Sequence, residues 1–235
     1  MNSGELIKKS LSLIEQASDR SRRELSEWYF PTAMKVIGVK SDDIKTTVKI
    51  IRDDIKKEDA SSIIRLAKEM ALSGIFEIQQ VGFGILNRKY KIIEQLNLTD
   101  LLTLGTYMDN WVSTDTFGTQ ISGPSWRLGC IDNSTVEGWA LSPDRWWRRI
   151  ALVSTVALNL KSQKGEGDLD RTLMICELLV ADKDDMVVKA ESWALRELSK
   201  RYPSEVKDFI NKYESQLAGR VVREVTRKLL TGKKN

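Results

Sequence analysis

Residues 143–153, PDRWWRRIALV, and residues 183–194, KDDMVVKAESWA, align so that Arg149 falls on Lys189, 40 positions later. Each basic residue is followed by a helical apolar run. A third basic segment, RVVREVTRKLL, places Arg223 a further 34 positions on. Helix pairs recurring every 35 to 47 residues or so define HEAT-like and armadillo-like α-solenoids. In such stacks the second helix of each pair lines one concave face, so positive charge repeated at this period would recur along that face.

Working outward, amphipathic segments follow one another with short breaks. They run roughly over 4–18, 20–37, 41–57, 59–72, 75–94, 98–108, 111–121, 133–141, 143–161, 168–181, 184–201, 203–214 and 217–231. Several starts carry capping residues or an N1 proline with acids in the first turn: Ser41-Asp-Asp, Thr99-Asp, Ser142-Pro-Asp and Pro203-Ser-Glu. The longest stretches expected to be irregular are GPSWRLGCIDNS, 123–134, and QKGEGD, 163–168. Neither resembles a domain linker. The fold expected is therefore all-α, an α-solenoid of HEAT-like helix pairs with a concave basic face, as a single domain over 1–235.

The chain has 235 residues, 41% hydrophobic and 30% charged, with four prolines and 14 glycines. That is enough apolar material for a substantial core. The N-terminus lacks an uninterrupted apolar region of signal-peptide length, and no window approaches a membrane span. A cytoplasmic or nucleoid-associated protein is expected, neither secreted nor membrane-bound. Cys130 and Cys176 are far apart with no CxxC spacing, which favours two buried free thiols over zinc or a disulfide. With no histidine, Ser-His-Asp chemistry and His-liganded metals are excluded. Chemistry here must use carboxylates, aromatics and arginine, with no metal or cofactor expected.

Charge is unevenly distributed. From Arg145 onward there are 19 Lys and Arg against 13 Asp and Glu, while residues 1–144 have 18 against 20. The C-terminal part is the basic part, a bias that permits a nucleic-acid footprint.

Within DNWVSTD, 109–115, Trp111 and Asp115 stand four apart, so on a helix they project side by side. Taken with SEWYFPTAMKVIGV (26–39), WWRRIAL (146–152) and KAESWALRELSKRYPSEVKDFI (189–210), this pair resembles the AlkD-like DNA alkylation repair glycosylases, which are built from HEAT-like repeats. The resemblance runs over nearly the whole chain and is most specific in KAESWALRELSK. It implies that Trp111, Asp115, Arg149 and Trp193 surround the damaged nucleotide, with Tyr29 an aromatic near the same cleft. Duplex DNA with alkylated bases is the implied partner, bound by a monomer. The family often reads Trp-Asp-x-x-Asp, whereas Val112 stands here in place of the first acid. Arg148 adjoins Arg149, and the spacing to IAL assigns the role to Arg149.

The chemistry of the residues agrees. A purine alkylated at a ring nitrogen is cationic and leaves the sugar as a neutral base, so no general acid is needed. The charge that moves onto the sugar needs a fixed carboxylate, which Asp115 can supply. Tryptophan faces attract cations by about 0.5 to 2 kcal/mol, suiting Trp111 and Trp193 to a cationic base. Arg149 suits a phosphate, and Arg148, Lys189, Arg196 and Arg223 suit the tracking of a duplex backbone. Read as structure alone, Trp111 and Trp193 are core anchors and the basic residues solvated helix faces. Trp126 and Trp139 read as staples of the irregular segment. A HEAT-like scaffold that binds DNA or a protein without chemistry is the alternative function.

Overall fold

The computed structural model describes residues 2–233, which divide into two compact units meeting at 121/122. Unit 1 contains α1 (Ser3–Gln16), α2 (Arg20–Tyr29), α3 (Ser41–Asp54), α4 (Ala60–Ala71), α5 (Phe76–Leu86), α6 (Tyr90–Ile93), α7 (Leu98–Leu104) and α8 (Trp111–Phe117). Unit 2 contains α9 (Gly123–Arg127), α10 (Asn133–Ala140), α11 (Arg145–Asn159), α12 (Leu169–Leu179), α13 (Asp185–Leu198), α14 (Pro203–Tyr213) and α15 (Gly219–Thr231). Among the described residues no β-strand forms, and the fold is all-α.

Each unit is layered as an α-solenoid would be. In unit 2, α9, α11, α13 and α15 pack one on the next as a row, with α10 on α12 alongside and each helix from α10 to α15 also touching its chain neighbour. In unit 1, α1, α3, α5 and α8 form the corresponding row, and α4 packs on α5, α6 and α7. Sequence explains the spacing. Helix starts are fixed by side-chain caps from Asp19, Asp59, Asn97, Asn110, Asp132, Asp144, Asp168 and Asp184, which satisfy amide donors that the helix itself cannot. Helices of the rows are buried on more than one face: α5, and α11 from Arg149 onward, are buried nearly all round.

Three expected segments differ. The one over 20–37 stops at Tyr29, because Pro31 cannot donate and biases Phe30 away from helix. The chain then runs extended, Lys35 forming an isolated parallel bridge with Ile75, and the Glu77 carboxylate accepts the amides of Ile37 (3.0 Å) and Gly38 (2.8 Å). The one over 75–94 breaks after Leu86, where Arg88 adopts φ +62° and Arg52 donates to the carbonyls of Gly84 and Asn87. Conversely GPSWRLGCIDNS is not wholly irregular. α8 continues as a π-helical turn, Gly118–Ser122, and α9 follows with Pro124 in its first turn.

In unit 2, Trp126 is 2% exposed, donates to Asn133 Oδ1 (3.0 Å) and lies under the Arg171 guanidinium, so it does staple that segment. Trp139 is buried against Trp147, ring centroids 5.2 Å apart. Neither cysteine forms a disulfide; Cys176 is buried, while Cys130 is half-buried rather than fully enclosed.

Candidate functional site

The aromatic site of unit 1 is built where the end of α2 meets the start of α8. Asp109 brings them together: one carboxylate oxygen accepts the Thr32 hydroxyl and the other the Ala33 amide, both at 2.6 Å. Asn110 then caps α8 by accepting the Ser113 amide (2.9 Å), and the Ser113 hydroxyl donates to Gln79 of α5 (2.6 Å). These bonds fix the rotation of α8. Trp111 is thereby set with its indole N–H on the Tyr29 carbonyl (3.2 Å) and its ring edge-on to Tyr29, centroids 5.1 Å apart. Trp28 stacks on Tyr29 at 6.4 Å. Trp28 and Tyr29 are 77% and 57% exposed, whereas Trp111 is half-buried with one side on the cluster of Phe30, Met34, Val36 and Phe76.

Asp115 lies one turn beyond Trp111 on the same face of α8 and is half-buried. Its main-chain carbonyl accepts the Thr119 hydroxyl (2.7 Å) as the helix passes into the π-turn. At this spacing the Cβ atoms are roughly 5–6 Å apart, so the two side chains leave the helix side by side. Val112 packs on the apolar cluster with Trp111. An acid there would be placed against four hydrophobic side chains, which accounts physically for valine at that position.

In unit 2, Arg148 and Arg149 lie on α11, Lys189, Trp193 and Arg196 on α13, and Arg223 on α15. Except for Arg223, their environments are less open than solvated helix faces would be. Arg149 is 5% exposed and donates Nη1 to the Met186 carbonyl. Arg148 pairs with Asp182 (2.7 Å) and donates to the carbonyls of Ser142 and Pro143. Lys189 pairs with Asp185, and Arg196 with Glu224 (3.6 Å) and Ser192. Trp193 is half-buried. Arg223 and Arg227 are exposed and make no ion pair among the described residues. So the structure joins Tyr29, Trp111 and Asp115 within unit 1. Within unit 2 it joins Arg149 to the first turn of the helix that carries Lys189 and Trp193.

One buried acid went unnoticed in the sequence. Glu191 is 1% exposed on α13, and its Oε1 has no hydrogen-bond partner. Burial first, and the charge of Asp182 second, push its carboxyl up to about 8. Nearby Cys176 is raised well above the ordinary thiol range by its own burial and then by Glu191. Asp109 was equally silent, because a capping or bridging role depends on what the chain brings opposite it.

Among the described residues there is no cluster of three or more metal-ligating side chains and no helix long and apolar enough to cross a membrane. The two units share an all-α fold of packed helix rows, and unit 1 alone sets Trp111 and Asp115 on one short helix. The chain belongs to the DNA alkylation repair enzyme family, whose sequence profile it matches over residues 11–229. A solved structure, "Predicted DNA alkylation repair enzyme from Enterococcus faecalis", superposes with a TM-score of 0.71 over 92% of this chain and 98% of that one, at 15% identity. At that identity the likeness is one of fold. Among curated proteins no significant match is found.

Proposed function

We propose that the protein is a monofunctional DNA glycosylase that releases cationic N-alkylated purines, such as 3-alkyladenine and 7-alkylguanine, from duplex DNA. The observation that carries this reading is the pairing on α8: Trp111, anchored to Tyr29, with Asp115 one turn on along the same face.

The bond that breaks is the N-glycosidic bond, whose electron pair goes to the departing purine and neutralises its positive charge. The sugar is left as an oxocarbenium-like cation. Asp115 stabilises that cation by its negative charge, and water attacks the anomeric carbon, its proton passing to Asp115 or to solvent. Tyr29 and Trp111 offer aromatic surface to the cationic base or nascent sugar cation. Arg149 and Trp193 carry over from the resemblance as residues about the same nucleotide, Arg149 acting from a buried position through its bond to α13. Arg223 and Arg227, which have no acid partner, are the cations of unit 2 best suited to phosphates.

The test is release of free methylated purine from alkylated duplex DNA by the purified full chain, followed by chromatography, with and without chelator. Release is expected in both. Intact duplex binding with no release would favour the non-catalytic scaffold. Activity lost in chelator and restored by a divalent ion would overturn the metal-free mechanism.

A further inference from the structure

A second feature of unit 1 is separate from Asp115. A cleft of about 850 Å³ opens between α3, α5, the turn after α5, and the side of α8 and its π-helical continuation that carries Val112, Thr116 and Gln120. Its floor is apolar, formed by Phe30, Val39, Ile44, Val48, Phe76 and Val112. Its rim is cationic. Lys49 and Lys56 come from α3 and the turn beyond it, and Arg88 and Lys89 from the turn after α5. These four side chains are exposed and make no ion pair among the described residues.

The lining acids do not cancel this charge. Glu77 is buried with its carboxylate engaged by the amides of Ile37 and Gly38, which leaves Asp53. Lys45, also on the rim, already pairs with Asp42. Arg52 lies in the wall, and burial together with the neighbouring charge of Arg88 disfavours its protonated form. Arg52 and Arg88 thus lie near enough for their like charges to oppose each other, which an anion bound between them would relieve.

The combination selects among anions. A duplex presents phosphates on a convex rod with its bases stacked inside, so it has no use for an apolar floor. A simple fatty anion would use the floor, yet needs only one cation. An unstacked nucleotide needs both: a flat apolar surface for the base and cations spread along the flanking phosphates. The half-buried Thr116 and Gln120 on the α8 wall add hydrogen-bonding groups of the kind a base edge requires. The volume falls in the range of pockets that enclose small organic ligands.

We propose that this cleft binds a short single-stranded stretch of nucleic acid, one base lying on the floor and its phosphates on Lys49, Lys56, Arg88 and Lys89. This goes beyond base excision and uses none of its residues.

The experiment is fluorescence anisotropy of labelled oligothymidylate with the full chain at low salt. Saturable binding is expected, weakening as salt rises. The double variant Lys49→Glu/Arg88→Glu should weaken it roughly tenfold or more with an unchanged thermal midpoint, and should weaken duplex binding less. Ile44→Asn alters the floor without changing charge, and should cost several-fold. Asp115→Asn should bind oligothymidylate normally, which separates this site from the excision reading. Absence of saturable binding would overturn the proposal, as would affinity unchanged in both cleft variants. Displacement by polyglutamate as readily as by unlabelled oligothymidylate would also overturn it, since charge alone would then be recognised. Should the double variant unfold, Lys49→Gln/Lys56→Gln gives the same comparison.

Discussion

Unit 1 displays aromatics and cations of the kind that unit 2, Trp193, Arg223 and Arg227 aside, mostly puts away. In unit 1, Trp28 and Tyr29 are largely exposed, Trp111 is half-buried, and four cations about one cleft have no acid partner. In unit 2, Trp126 and Trp139 are core, and Arg145, Arg148, Arg171, Lys189, Arg196 and Arg220 all pair with carboxylates. Net charge by segment points the opposite way, since the C-terminal part carries the excess of Lys and Arg. The lesson is that a ligand responds to uncompensated local charge, while a sequence tally counts charges already neutralised by neighbours on the next helix.

The comparison can be broken most sharply through the tryptophans. Trp126→Ala should cost about 3–5 kcal/mol of folding stability, as a large buried side chain with a satisfied N–H is removed. Trp28→Ala, largely exposed, should leave the denaturation midpoint within about 0.5 kcal/mol of the parent. Equal costs in chemical denaturation would erase the contrast.

Next in size is Asp115→Asn, which removes charge at nearly constant shape. Single-turnover base release should slow by roughly 100-fold or more with duplex affinity little changed. Trp111→Ala should impair both rate and stability, because Trp111 holds the Tyr29 carbonyl and packs on the apolar cluster. A fully active, normally folded Asp115→Asn protein would end the catalytic reading of α8.

The buried side of the contrast has a pH signature. The Glu191 carboxyl, raised to about 8 in the folded chain, keeps its proton there while the unfolded chain loses it near 4.5. Its stabilising contribution is complete below about pH 4.5 and is lost as pH rises toward 8. By pH 7 the loss should be on the order of 3 kcal/mol. Denaturation midpoints between pH 5 and 8 should fall for the parent and stay flatter for Glu191→Gln. Parallel curves for the two would show that Glu191 is already paired.

The smallest effect concerns paired against unpaired cations in unit 2. Arg223→Glu should lower duplex affinity a few-fold and reduce the salt slope by about 1. Lys189→Gln, whose parent side chain is held by Asp185, should do less. The reverse order in anisotropy titrations would mean that pairing within the protein gives way when DNA binds.

Much of the fold was legible from periodicity and caps. α3, α4, α11, α13, α14 and α15 fall within a few residues of their amphipathic segments, because a 3.6-residue apolar repeat and a capping side chain are local properties. The misses were also physical. Segment 20–37 kept apolar residues past Pro31, but Met34 and Val36 are buried from an extended strand-like run held by Glu77. GPSWRLGCIDNS looked irregular because its glycines, proline and Ser, Asp and Asn residues are turn formers, yet proline in a first turn begins a helix as well as it ends one. For the site, the Trp111 and Asp115 spacing was readable because i and i+4 share a face. The proximity of Tyr29 came only through resemblance, since 82 residues separate it from Trp111.

By itself, then, the sequence determined the helical class, most helix starts, the exclusion of histidine chemistry and the placing of Trp111 beside Asp115. All of these follow from local backbone geometry or from composition. Only the tertiary structure decided that Asp109 joins α8 to the end of α2, that Arg149 is buried, that Glu191 is buried with one carboxylate oxygen lacking a hydrogen-bond partner, and that Lys49, Lys56, Arg88 and Lys89 surround one cleft. Each of these depends on which groups a distant segment brings within a few ångströms, and the energy of a charge is set by those neighbours.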